Sequence, residues 1–216
     1  MCGGKQNPAN RRFDAAGGKL IITSEEGDVS TSANNARNLL LQSANSDWTI
    51  ESKISSSRKP AGFTENAGVI AYQDDDNFVK LVYRANVGRR GAQRPAGSGE
   101  QPGIVELSVE NKDYQTYSVS VTMDGIIKGD NTLILKLVKK GAYYTAYYAT
   151  DGGKFEIIGE AHVVLKDIKA GVIACNGVLP AQMARFARMM QQNDQAPEKP
   201  FEVGFDYFRI TGSGLK

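Results

Sequence analysis

Three apolar runs joined by tight-turn residues constrain this chain more than any other feature. In "LILKLVKKGAYYTAYYATDGGKFEII" the runs are separated first by Lys140-Gly141 and then by Asp151-Gly152-Gly153. Glycine and aspartate supply the positive-φ and side-chain-capped turns of β-hairpins. The runs themselves are too short for helices and rich in β-branched and aromatic residues. The same pattern recurs along the chain. Strands are predicted at residues 19–23, 38–42, 48–54, 67–72, 78–84, 104–109, 117–122, 132–139, 143–150, 155–158, 162–165, 171–175 and 203–210. Many short strands at this spacing predict an all-β antiparallel sandwich or jelly roll.

Two stretches break the rhythm. Residues 86–102 are rich in Gly, Arg and Pro and predict a long loop. Residues 180–200 contain Met183, Phe186, Ala187 and Met190 at helical spacing, which predicts one short amphipathic helix. No repeat or linker divides the chain, so residues 1–216 are expected to form one domain with an insert at about 178–200.

Charge and rare residues exclude several functions. Lys plus Arg is 26 and Asp plus Glu is 24, a net charge of +2, which makes no electrostatic case for nucleic acid. The two cysteines, Cys2 and Cys175, are too few for a disulfide framework or a Cys-rich zinc site. Cys175 ends an apolar strand and is expected to be a buried, inert thiol. With His162 as the single histidine, multi-His metal sites are excluded. Alternation puts His162 beside Val164 on one strand face, opposite Ala161, Val163 and Leu165, so a surface histidine is expected. No signal peptide or membrane span is read in the chain. Trp48 shares a strand face with Ile50 and Ile54 and is expected in the core.

The segments "NLLLQSANSDWTIESKI", "AGVIAYQDDDNFVKLVYR", "AGVIACNG" and "FDYFRI", with the three-strand run above, resemble a concanavalin A-like jelly-roll module. It is the module found C-terminal in family 43 glycoside hydrolases, such as β-xylosidases and arabinofuranosidases. The likeness runs from about Pro8 to Ile210. It implies a two-sheet antiparallel sandwich. It implies an accessory, carbohydrate-binding module that is non-catalytic on its own and works on a polysaccharide or oligosaccharide, beside a glycoside hydrolase catalytic domain. It also implies export to the periplasm, cell surface or medium. A glycoside hydrolase in its own right and a structural interaction domain are the alternatives.

Asp74-Asp75-Asp76-Asn77 joins two strands without the glycine or spaced ligands of a calcium loop, and turn chemistry is expected there. Asp206 lies in a strongly apolar strand, on the side of Phe208 and Ile210 by alternation. Resemblance to concanavalin A-like glucanases implies a structural calcium ion at that aspartate. Glu106 and Glu110 point to one face of their strand and are the weak catalytic candidates. The strand resembles the Glu-x-Asp-x-x-Glu strand of jelly-roll glucanases, with Ser108 where the aspartate is required. Four residues set the two α-carbons roughly 13 Å apart, against about 5–9.5 Å between the carboxyl groups of working pairs. Tyr143 and Tyr147 share one strand face, Tyr144 and Tyr148 the other. Tyr144 and Tyr148, with Lys80 and Arg84 as hydrogen-bond donors, are the carbohydrate-contact candidates.

Overall fold

The computed structural model describes residues 11–25, 27–29, 34–56, 58–60, 65–86, 103–112, 114–123, 132–176 and 201–212. These residues form thirteen strands: β1 (Arg11–Asp14), β2 (Lys19–Thr23), β3 (Leu39–Ser43), β4 (Trp48–Ser56), β5 (Glu65–Asp74), β6 (Asn77–Ala85), β7 (Gly103–Asn111), β8 (Tyr114–Thr122), β9 (Leu133–Lys140), β10 (Tyr143–Ala149), β11 (Glu156–His162), β12 (Lys169–Asn176) and β13 (Glu202–Gly212). One sheet has the order β1-β2-β13-β4-β9-β10-β11, the other β3-β12-β5-β6-β7-β8. Every strand pair is antiparallel. The expected all-β concanavalin A-like sandwich is what the chain forms. The predicted helix and the loop at 87–102 lie outside the described residues. No described helix is long and apolar enough to cross a membrane.

The main core fills the space between the sheets. Ile50 and Ile54 of β4, Leu133, Leu135 and Leu137 of β9, and Val69, Leu81 and Leu107 of the facing sheet all lie in it. Trp48 is buried as expected. Its indole N–H donates to the Ala44 carbonyl at 3.0 Å and its ring meets Tyr144 edge-on at 6.1 Å. The tryptophan thereby satisfies its one polar atom inside the core.

A second apolar layer lies outside the main core. Ile70, Phe78, Val82, Ile173 and Cys175 alternate with the core residues of β5, β6 and β12, so they sit on the opposite face of the six-stranded sheet. They are buried there against Val29 and Ala36 of the β2–β3 connection. Strands covered on both faces carry near-continuous apolar runs, as "AGVIA" and "FVKLVY" do. Cys175 is a free, buried thiol; burial is the main reason its pKa lies well above the ordinary value.

Two strand boundaries need correction. The sequence predicts separate strands at residues 155–158 and 162–165; instead β11 runs unbroken from Glu156 to His162, and Val163–Leu165 lies beyond it. Gly159 makes no turn. A Cβ there would come within 2.7 Å of Val119 Cγ1, so the missing side chain lets β11 lie close to β8. The short, charged β1 was not anticipated from sequence.

Gly68 performs a similar service between the central strands β5 and β6. A Cβ there would run into the Leu81 carbonyl and come within 2.9 Å of the Val82 α-carbon. Central backbone cannot yield as a flexible side chain can. Gly68→Ala is expected to destabilise the fold by about 1–3 kcal/mol, the usual range for overpacking. Thermal and urea denaturation check this; an unchanged midpoint would show that the sheet accommodates the methyl group.

Candidate functional site

The aspartate-rich hairpin is a turn, closed by its own side chains. The Asp76 N–H donates to Asp74 Oδ1 at 3.0 Å, and the Asn77 amide donates to the same oxygen at 2.7 Å. The Tyr72 hydroxyl donates to Asp75 at 2.7 Å, and the Asn34 amide donates to Asp76 at 2.7 Å. Asp74 and Asp75 therefore have local partners that explain their presence, while Asp76 accepts from a residue 42 positions earlier. The last bond also ties the β2–β3 connection to the hairpin.

That connection is fastened a second time by Asp28. Its carboxylate accepts from Lys80 Nζ at 3.0 Å, from the Val29 N–H at 2.7 Å and from the Asn66 amide at 3.2 Å. Lys80 is 5% exposed. A lysine read as a sugar-contact donor is thus a buried structural cation.

Arg84 and Glu106 lie on the same outward face, on neighbouring strands. Arg84 Nε donates to Glu106 Oε2 at 2.5 Å and Nη2 to Oε1 at 2.9 Å. Ser118 adds a bond to Oε1 at 2.5 Å. Burial pushes the Glu106 carboxyl upward, but the bonds from Arg84, its charge, the Ser118 bond and the Lys80 charge outweigh that, and the pKa falls below the ordinary value. A general acid needs the opposite shift and a proton to give. Glu106 is ionised and both of its oxygens are engaged. Glu110 is also buried, opposite Phe78 and Gln115. The bidentate ion pair, rather than a pair of acids, organises this part of the face.

The tyrosines divide as alternation requires, with the inward pair now identified. Tyr144 is fully buried against Trp48, and Tyr148 is 4% exposed with its hydroxyl donating to Glu156 at 3.0 Å. Tyr144 has no ring face free for a sugar, and Tyr148 has almost none, which corrects their choice as contact residues. The outward pair is Tyr143 and Tyr147, on the outer face of the seven-stranded sheet. Tyr143 is 52% exposed and meets the His162 ring at 4.8 Å. Lys136 Nζ lies 4.7 Å from the Tyr147 ring centroid and 3.5 Å from that of Phe155. Phe155 and Ile157 are exposed beside them. The result is an aromatic strip across β9, β10 and β11. His162 is a surface residue, as expected.

Asp206 does not share the side of Phe208 and Ile210. A bulge between Phe205 and Tyr207 shifts the alternation there. The carboxylate instead pairs with Lys19 at 3.1 Å and Lys53 at 3.8 Å. Lys53 also bonds Asp151 at 2.8 Å. Two ammonium groups on one carboxylate do not fit a calcium ion, which needs six to eight oxygen ligands. Among the described residues no three acid, His or Cys side chains cluster as a metal site.

Comparison with known proteins agrees with this architecture. Residues 5–171 match the β-xylosidase C-terminal concanavalin A-like domain. No curated protein sequence matches the chain. A protein of unknown function from Saccharomyces cerevisiae superposes with a TM-score of 0.63 at 13% identity, covering 95% of this chain and 93% of that one. The GH43 protein BlXynB from Bacillus licheniformis gives 0.66 at 14% identity, covering 95% of this chain and 35% of its own. The Bacteroides ovatus xyloglucan-locus GH43B gives 0.64 at 16%, covering 98% and 37%. At these identities the structures share the fold, and this chain spans about a third of the two GH43 proteins but nearly all of the yeast protein. With the family match running through most of the sandwich, the chain belongs to the β-xylosidase C-terminal concanavalin A-like domain family.

Proposed function

We propose that this domain is a non-catalytic accessory module that holds polysaccharide on the aromatic strip of β9, β10 and β11. The exposed Tyr143 ring carries the reading. It offers an apolar face to the C–H side of a sugar and a hydroxyl to its rim, with Phe155 and Ile157 extending the apolar surface. Thr145 and Glu160, hydrogen-bonded to each other at 3.0 Å, add polar groups between them. Glu106, held ionised by Arg84, argues against hydrolysis by the candidate pair. The family's company with GH43 catalytic domains supports a role beside such an enzyme, and a polysaccharide ligand accords with export.

Affinity electrophoresis in xylan, arabinan and β-glucan gels tests this. Retardation by at least one polymer is expected, and Tyr143→Ala should weaken it about tenfold, the scale of losing one well-placed ring. Retardation unchanged in Tyr143→Ala would remove the strip as the binding surface. Sugar release from nitrophenyl glycosides that vanishes in Glu106→Gln would replace this reading with catalysis.

A further inference from the structure

The aromatic strip ends at a cleft that the strip itself does not use. The cleft is open to solvent, has a volume of about 480 Å³ and is lined by Asn45, Lys139, Gly141 and Ala142, and by the loop from Val164 to Ile168. That volume lies in the range of small-ligand sites. Ala142 directly precedes Tyr143, and Val164 follows two residues after His162, so the chain segments that carry the Tyr143–His162 ring pair continue into the cleft lining.

Its chemistry centres on Lys139. Leu133, Leu135, Leu137 and Lys139 form the inward row of β9, so a lysine occupies the last core position where the sandwich opens. It is 6% exposed. Its ammonium reaches the Ser46 carbonyl at 3.3 Å, while the Asp47 carboxylate stands 3.7 Å away and accepts the Gly141 N–H at 2.8 Å. An ammonium carries three donors, and these contacts engage one of them within hydrogen-bond distance. Buried donors left short of acceptors are costly. The rest of the lining completes a recognisable set. Asn45 both donates and accepts, Lys166 adds a second ammonium, Asp167 accepts, and Ala142, Val164, Leu165 and Ile168 are apolar. The charges of Lys139 and Lys166 are balanced by Asp167 and by Asp47, the ion-pair partner of Lys139, so these opposite charges favour no net ion. They suit vicinal hydroxyl groups, each of which can accept from the lysine while donating to a carboxylate.

We infer that this cleft is a second sugar subsite, which reads the hydroxyl groups of a short neutral saccharide unit at the end of the aromatic strip. The inference rests on the polysaccharide-binding reading above. In it the strip supplies stacking and the cleft supplies hydroxyl recognition.

The test titrates the full chain with xylobiose as the probe, following amide NMR signals and calorimetry, alongside the polymer gels. Xylobiose is expected to shift the amides of Ala142, Val164, Lys166 and Asp167. Lys139→Met should lower its affinity about tenfold, the effect of losing one charge-assisted hydrogen bond. Methionine continues the apolar row of β9, so the variant is expected to fold, and a thermal melt verifies that. Asn45→Ala, at an exposed rim position, provides a second variant with the same expected direction. Polymer retardation with no xylobiose shifts at the cleft, or xylobiose affinity unmoved by both variants, would overturn the subsite and leave the strip standing. Retardation insensitive to Tyr143→Ala, with cleft shifts present, would overturn the strip and leave the subsite standing.

Discussion

Asp28→Ala is expected to lower stability at neutral pH by about 3–5 kcal/mol, the range for breaking a buried ion pair from one side. Three donors lose this carboxylate together: Lys80 at 3.0 Å, the Val29 N–H at 2.7 Å and the Asn66 amide at 3.2 Å. Lys80 stays where β6 puts it, 5% exposed, because its strand is paired on both sides. The loss extends beyond one contact. Val29 and Ala36 cover the outer apolar layer, and Asp28 holds their connection against the sheet. Urea denaturation measures the effect, and Cys175 reports where it acts. In a Cys2→Ser background, the buried Cys175 thiol should react faster with an aromatic disulfide reagent once the cover loosens. A second comparison separates the pair from the cover. Lys80→Met added to Asp28→Ala should recover part of the loss, since removing both charges costs less than removing one. A cost below about 1 kcal/mol, within the range for exposed pairs, would show that Asp28 holds nothing of consequence.

Asp28 is legible in the sequence only as a turn residue. It follows Gly27, and an aspartate beside a glycine reads as turn chemistry, which is also true here: the Asp28 carbonyl accepts from the Asn35 and Ala36 N–H groups at 3.1 and 3.2 Å. Its partner Lys80 is 52 residues away. Alternation along a strand says which residues share a face, and it says nothing about what lies across the neighbouring strand. Thus Glu106 and Glu110 were paired by spacing, whereas Arg84, one strand over, is the partner that decides the chemistry of Glu106. The tyrosines show the same limit. Period 2 separated Tyr143 and Tyr147 from Tyr144 and Tyr148, but the absolute assignment needed the second sheet, where Trp48 meets Tyr144. Asp206 failed for a different reason. A bulge adds one residue and reverses the parity, and no residue in "VGFDYFRI" announces it. What was legible rested on local chemistry: turn residues around the hairpins, apolar alternation in β4 and β9, and capping carboxylates in the Asp74–Asn77 turn.

Arg84→Met brings the same face under pH control, with a sign that distinguishes its cause. In the native protein the Glu106 carboxyl ionises more readily than an ordinary glutamate, because the bonds and charge of Arg84 outweigh burial. Its contribution to stability is therefore fully present above the unfolded pKa of about 4.3, and is lost as pH falls through the lower folded value. Without Arg84, burial is left opposed by Ser118 and the more distant Lys80. The carboxyl is then pushed upward, and the charged form becomes a burden at neutral pH. The variant is expected to lose about 3 kcal/mol at pH 7, the lower end of the buried-pair range, since Arg84 retains some solvent contact. Acid relieves the variant by protonating Glu106 while it weakens the native pair, so the two stability curves should converge as pH falls from 7 toward about 4. Urea unfolding across that interval provides the measurement. Adding Glu106→Gln to Arg84→Met removes the titrating group and should make the remaining deficit nearly independent of pH. A deficit equally large at every pH in Arg84→Met alone would mean that packing of the arginine stem, rather than its charge on Glu106, holds this face together.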